Sequence, residues 1–172
     1  MIGVIGGTGL YRFLPGGSEQ RTVDTPYGRP SAPITVGEVA GREVAFLPRH
    51  GLGHEFSPHT VPYRANLWAL RSLGVRKVLA PCAVGSLDGA AGPGTIAIPE
   101  QLVDRTFSRP STYFDGGGVH VSFADPYCPT LRAAAAPHAD RADSTMVVIE
   151  GPRFSTRAES RWFAAQGWDL VN

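Results

Sequence analysis

Strands that alternate with helices along the chain predict an α/β layer fold, and three observations carry that prediction. Ile2 to Ile5 is an apolar run that enters a glycine turn, and Val75 to Val84 is a second such run. Between and after them lie segments with helix start and stop signals, Val61 to Leu73 and the stretch that follows Thr156. No repeat or linker interrupts the 172 residues, so one domain able to bury roughly 70% of its unfolded surface is expected.

Taken in order, Ile2 to Ile5 reads as a buried strand, followed by the turn Gly6-Gly7-Thr8-Gly9 and a polar loop from Pro15 to Arg29. Ile34 to Val39 and Glu43 to Leu47 form a hairpin that turns at Ala40-Gly41-Arg42, and Pro48-Arg49-His50-Gly51 opens a long loop. Thr60 is placed to cap the helix Val61 to Leu73, Pro62 sits in its first turn where the missing N–H does no harm, and Gly74 ends it. Val75 to Val84, Thr95 to Pro99, Val119 to Phe123 and Met146 to Ile149 are expected strands, with a weak helix from Leu131 to Ala136 broken at Pro137. Thr156-Arg157-Ala158-Glu159 has the spacing of a capping box, so a helix runs from there to about Gln166, and Trp168 to Val171 starts a last strand.

Composition excludes several classes. With 16 basic and 15 acidic residues interspersed, the formal charge of +1 leaves no footprint for nucleic acid or an anionic membrane. No apolar run approaches the ~20 residues of a membrane span, and no signal peptide is visible. Cys82 and Cys128 are the only cysteines and lack metal-ligand spacing, which points to a reduced, cytoplasmic setting.

The glycine turn is an anion site by construction. Residues without side chains let backbone N–H groups approach an oxyanion, and Thr8 adds a hydroxyl donor. Gly7-x-Gly9 has the start of a dinucleotide fingerprint, but Arg12 stands at the third glycine position, and the Gly-Lys-Ser/Thr ending of a nucleotide P-loop is missing. Arg49 and His50 follow a strand end, where a guanidinium fork matches phosphate and an imidazole can add a donor. The end of the Cys82-Ala83-Val84-Gly85 run makes a third such position. His50, His54 and His59 lie in a loop with only Glu55 nearby, which disfavours a metal site. Cys82 reads as a buried, inert thiol, and Ser86 lacks a nucleophile elbow, so covalent catalysis is disfavoured. Phe154 serves equally as core packing or as a face on which a flat base stacks.

Several segments together resemble the purine nucleoside phosphorylase superfamily in its methylthioadenosine phosphorylase branch. They are Gly6-Gly7-Thr8-Gly9, Asp24 to Gly28, Arg49-His50-Gly51, Tyr63-Arg64-Ala65-Asn66, Gly85-Ser86-Leu87, Asp104-Arg105-Thr106, Tyr113-Phe114-Asp115, Asp125 to Pro129 and Glu150 to Glu159. The resemblance implies a single-domain three-layer fold, with a central mixed β-sheet flanked by helices. It implies phosphorolysis, in which inorganic phosphate is co-substrate and no metal or organic cofactor takes part. By the same resemblance, Thr8, Arg49, His50, Cys82 and Ala83 hold phosphate, Phe154 and Ser155 lie at the purine, and His120 reaches a neighbouring subunit's 5' pocket in a homotrimer.

Where some relatives have Thr, this chain has Cys82, which exchanges a hydroxyl donor for a weak thiol. The segment between Pro129 and Thr145 is shorter than in many of them. Family chains also run on past Asn172, so residues 1–172 are expected to be the N-terminal two-thirds of a phosphorylase domain, with the purine-contacting aspartate beyond them and no catalytic acid within. Three other readings stay open at this point: a 6-oxopurine nucleoside phosphorylase acting on inosine or guanosine, an inactive remnant that only binds phosphate, and a dinucleotide-binding domain.

Overall fold

The structure is a computed structural model that describes residues 1–7, 9–10, 13–14 and 18–172. Its α/β elements divide into two compact units, Met1–Ala83 with Pro110–Tyr113, and Val84–Arg109 with Phe114–Asn172.

The first unit is built on a five-stranded sheet. Strands β1 (Ile2–Gly6), β2 (Glu19–Arg21), β3 (Ile34–Val39), β4 (Arg42–Pro48) and β5 (Lys77–Leu79) stand in the order β2-β3-β4-β1-β5. β1 runs parallel to both β4 and β5, whereas β2, β3 and β4 form antiparallel pairs. Every residue of β4 from Val44 to Pro48 is buried, as expected of a strand covered on both faces. Ala45 and Leu47 on one face pack with Ile34, Val36 and with Ala69 and Leu70 of helix α1 (Tyr63–Ser72). Val44 and Phe46 on the other face pack with Val4.

Two expectations shift here. The helix starts at Tyr63 with Pro62 as its cap, because the Thr60 hydroxyl donates to the Ser57 carbonyl instead of capping. The second apolar run pairs only over Lys77–Leu79, and Leu79 and Val84 are exposed. Pro81, which has no N–H to give a ladder, stands just past the end of that pairing. β2 lies within the segment expected to be a polar loop, and its Glu-Gln-Arg composition suits an edge.

The second unit holds a four-stranded sheet. β6 (Gly85–Ser86), β7 (Ala97–Arg105), β8 (Arg141–Ile149) and β9 (Leu170–Val171) stand in the order β6-β9-β8-β7, with β7, β8 and β9 parallel. β7 extends well past the predicted Pro99, with register shifts around that proline. Helix α2 (Pro129–Ala135) passes into a 3₁₀ turn at Ala136–His138, where Pro137 ends regular helix. Helix α3 (Arg157–Ala165) starts at the predicted capping box: Thr156 Oγ1 accepts from the Glu159 N–H at 3.2 Å, and the Glu159 carboxylate accepts from the Thr156 N–H at 2.7 Å. Phe163 of α3 is buried against Trp162 and Trp168. Val119 to Phe123 is not a strand, and Val119, Val121 and Phe123 are exposed.

Candidate functional site

Three of the predicted anion-binding positions follow neighbouring parallel strands. Gly6 at the end of β1 is in register with Pro48 at the end of β4, and Val4 is in register with Leu79 at the end of β5. The glycine turn, the Arg49-His50 pair and the Cys82-Ala83 segment therefore leave the same edge of the sheet, at the carboxyl ends where open α/β sheets place ligands. Thr8 lies outside the described residues. Cys82 is half-buried beyond the strand and Ala83 is exposed, so the thiol is not enclosed in a strand as the sequence suggested.

The geometry between Gly7 and Arg49 is close. The Arg49 N–H donates to the Gly6 carbonyl at 2.8 Å, and a Cβ placed on Gly7 would meet a terminal nitrogen of the Arg49 guanidinium at 2.6 Å. Only a bare backbone accepts the guanidinium there. Leu10 N–H closes the turn onto the Gly7 carbonyl at 3.1 Å.

His50 is 7% exposed and uses both ring nitrogens. Arg49 Nε lies 3.2 Å from His50 Nε2, and His50 Nδ1 lies 2.7 Å from the Phe56 carbonyl oxygen. A guanidinium N–H can only donate, so Nε2 accepts, and Nδ1 carries the proton given to Phe56. The imidazole is thus neutral in this arrangement and presents a lone pair to Arg49. Burial pushes its pKa below the ordinary histidine value, with the charges of Arg49 and His54 adding to the effect against the upward pull of the Phe56 carbonyl. The Phe56 N–H also donates to the His50 carbonyl at 3.1 Å, which ties both ends of the 50–56 loop together. Sequence reasoning treated His54 only as a possible ligand, yet its ring stacks on His50 with centroids 4.6 Å apart and planes 21° from parallel.

The remaining predicted residues belong to the second unit. Phe154 is 95% exposed after β8, in the turn that follows the cis Gly151-Pro152 bond, and Arg153 donates to its carbonyl. The Ser155 and Ser160 hydroxyls are 2.9 Å apart. His120 is exposed in the segment between Val119 and Phe123.

One constellation in that unit was missed. Glu150, buried at the end of β8, accepts from the Phe107 N–H at 2.6 Å, the Ser108 N–H at 3.1 Å and Arg109 Nε at 3.1 Å. Arg109 also donates to the Glu150 carbonyl at 2.6 Å. Led by the Phe107 N–H, these donors outweigh desolvation and hold the carboxyl at about 2. A hollow of about 190 Å³ lies beside it, lined by Arg105, Phe107, Arg153, Glu159 and Phe163 among others. Its signal in the sequence was the run Glu150-Gly151-Pro152-Arg153, whose carboxylate partner Arg109 is too far along the chain to identify by spacing.

Among the described residues, no helix is long and apolar enough to cross a membrane. Residues 1–172 match the sequence profile of the phosphorylase superfamily. The chain is 70% identical over 173 aligned positions to the S-methyl-5'-thioadenosine phosphorylase of Mycolicibacterium smegmatis, an alignment that covers 100% of this chain and 67% of that protein. A purine nucleoside phosphorylase of Streptomyces coelicolor is 60% identical over 185 positions, covering 99% and 66%. Among solved structures, the methylthioadenosine phosphorylase from Schistosoma mansoni in complex with tubercidin superposes with a TM-score of 0.90 at 35% identity, covering 99% of this chain and 70% of that one. The chain spans about two thirds of the length of the curated relatives it matches.

Proposed function

Because the chain belongs to the phosphorylase superfamily, we propose that the whole protein cleaves S-methyl-5'-thioadenosine with inorganic phosphate to give adenine and 5-methylthioribose 1-phosphate. The observation that carries the reading is the Arg49 guanidinium, held by His50 Nε2 against the bare backbone of Gly7 at the shared edge of β1 and β4. Relatives with that named activity support the substrate.

In the proposed reaction a phosphate oxygen attacks the anomeric carbon of the ribosyl group. The bond to purine N9 breaks, and its electron pair leaves with the purine. Such a transition state develops positive charge on the sugar and negative charge on the base, so an oriented dianion beside the sugar supplies both nucleophile and electrostatic stabilisation. Arg49, Thr8 and the Cys82-Ala83 segment bind that dianion, and His50 acts on it by fixing Arg49. Phe154 and Ser155 contact the purine. His120 closes the 5' pocket of a neighbouring subunit in a homotrimer, a role to which its exposure is suited. Residues 1–172 are the N-terminal two thirds of the phosphorylase domain in this reading. The group that hydrogen-bonds purine N7 is assigned to the part of the relatives that this chain does not span. Phosphate is the co-substrate, no cofactor or metal is needed, and the enzyme works in the cytoplasm.

A hydrogen bond to charged phosphate is worth roughly 1.5 to 3 kcal/mol, so Arg49→Ala in the whole protein raises the phosphate KM about ten- to a hundredfold. Unchanged phosphate dependence sinks the assignment. The Streptomyces coelicolor relative favours one second reading, a purine nucleoside phosphorylase acting on inosine or guanosine. Phosphate-dependent release of adenine from methylthioadenosine, measured beside hypoxanthine from inosine, separates the two.

A further inference from the structure

We infer that His54 is a positioning residue of the phosphate site, whose ring covers the face of His50 and so holds Arg49 against Gly7. The inference rests on the phosphate-binding reading above and adds to it a residue that makes no proposed contact with substrate.

Two independent observations meet at His54. Its φ is +61°, in the left-handed region that favours glycine, although Gly53 stands immediately before it and Gly51 already takes a φ of +83° in the same loop. A side chain kept in that conformation is held there by what it touches, and such outliers concentrate at functional sites. Among its contacts is the His50 ring, stacked at 4.6 Å. The edge of that ring is fixed by Phe56 and Arg49, so the face is the surface left to fix, and His54 supplies the fixing.

The stack also excludes a metal reading of this histidine pair. Ring lone pairs lie in the ring planes, and planes 21° apart and face to face do not converge on one ion. The stack instead keeps His50 in the form that accepts from Arg49. Among the described residues, Arg49 and His54 both oppose its protonation, and Glu55 is folded over Gly51 and Gly53 in the same loop.

The test uses the full-length protein with His54→Asn and His54→Phe. Asparagine tolerates the left-handed backbone but cannot stack, whereas phenylalanine stacks without charge. For His54→Asn the phosphate KM rises roughly two- to tenfold, the range an aromatic pair is usually worth, while the nucleoside KM and Tm stay at the parent values. His54→Phe retains the parent phosphate KM. A purely structural residue would lower Tm and move both KM values together, and that outcome overturns the inference. So does a His54→Asn variant with the parent phosphate KM, or a His54→Phe variant that loses phosphate as His54→Asn does. The His50 ring pKa, followed by NMR without substrate, rises in His54→Asn. A parent protein that fails to use phosphate defeats the proposed reaction yet leaves that shift readable, and an unchanged His50 pKa overturns the role of His54 itself.

Discussion

Gly7→Ala tests the proposed anion site at the place where the Arg49 guanidinium packs against bare backbone. The added Cβ would lie 2.6 Å from the terminal guanidinium nitrogen of Arg49 and 3.3 Å from its Cζ. An ordinary contact is about 3.5 Å, so the guanidinium retreats by about 0.9 Å. The Arg49 Nε to His50 Nε2 bond is already 3.2 Å long, at the outer edge of good geometry, and does not survive such a move. The displaced atoms are the far end of a flexible side chain, so the fold tolerates the change. The site does not. Loss of one charged hydrogen bond, roughly 1.5 to 3 kcal/mol, converts to about a ten- to hundredfold rise in phosphate KM. Gly6→Ala is the control: its Cβ would meet ring carbons of Phe46 at 2.5 and 2.7 Å, and Phe46 is 3% exposed in the core. Overpacking there costs about 1 to 3 kcal/mol of stability. The two variants, compared by thermal melts and phosphate titration of activity in the full-length protein, separate site from core. Gly7→Ala with parent phosphate KM, or with a Tm loss as large as that of Gly6→Ala, refutes the assignment of Gly7 as the seat of Arg49.

Two further outcomes follow from the second unit. Thr156→Ala removes one half of the α3 capping box and lowers stability by about 1 kcal/mol, read as a Tm loss of about 2 to 4 °C. Glu150 is held at about 2 against an ordinary value of 4.5, so its charged form stabilises the fold above pH 4.5, and that contribution is lost as pH falls from 4.5 toward 2. Melts of the parent protein and Glu150→Gln across that range therefore converge at the acid end, and a constant Tm gap from pH 7 to pH 2 contradicts the clasp.

The sequence made the strand ends legible because their signals are local. An apolar run broken by Gly6-Gly7, a hairpin turned at Ala40-Gly41 and a Thr156-Glu159 pair are each read within a few residues, and the structure places β1, β3 with β4, and the start of α3 where those signals stand. Errors arose where composition matched a strand but pairing did not exist. Val119, Val121 and Phe123 alternate as a strand face would, yet pair with no ladder and stay exposed. Beyond Leu79 the apolar run likewise continues past the last paired residue, with Pro81 two positions on lacking an N–H.

The site was only half legible for a related reason. Arg49 and His50 are neighbours in sequence, and that adjacency suggested two donors to one anion. Whether an imidazole donates or accepts depends on its other nitrogen, and the partner there, the Phe56 carbonyl, is set by closure of the 50–56 loop. The same closure brings His54 over His50 through a positive-φ backbone conformation that the local sequence does not announce. Residue type therefore pointed to Arg49 as the proposed phosphate ligand, while the orientation of its guanidinium is a property of the loop. The loop tip consequently carries the sharper test: His54→Asn and substitutions at Gly51, unlike His54→Phe, are expected to change phosphate use while β4 and the core beneath it keep their stability, which melts and phosphate titrations of the same variants resolve.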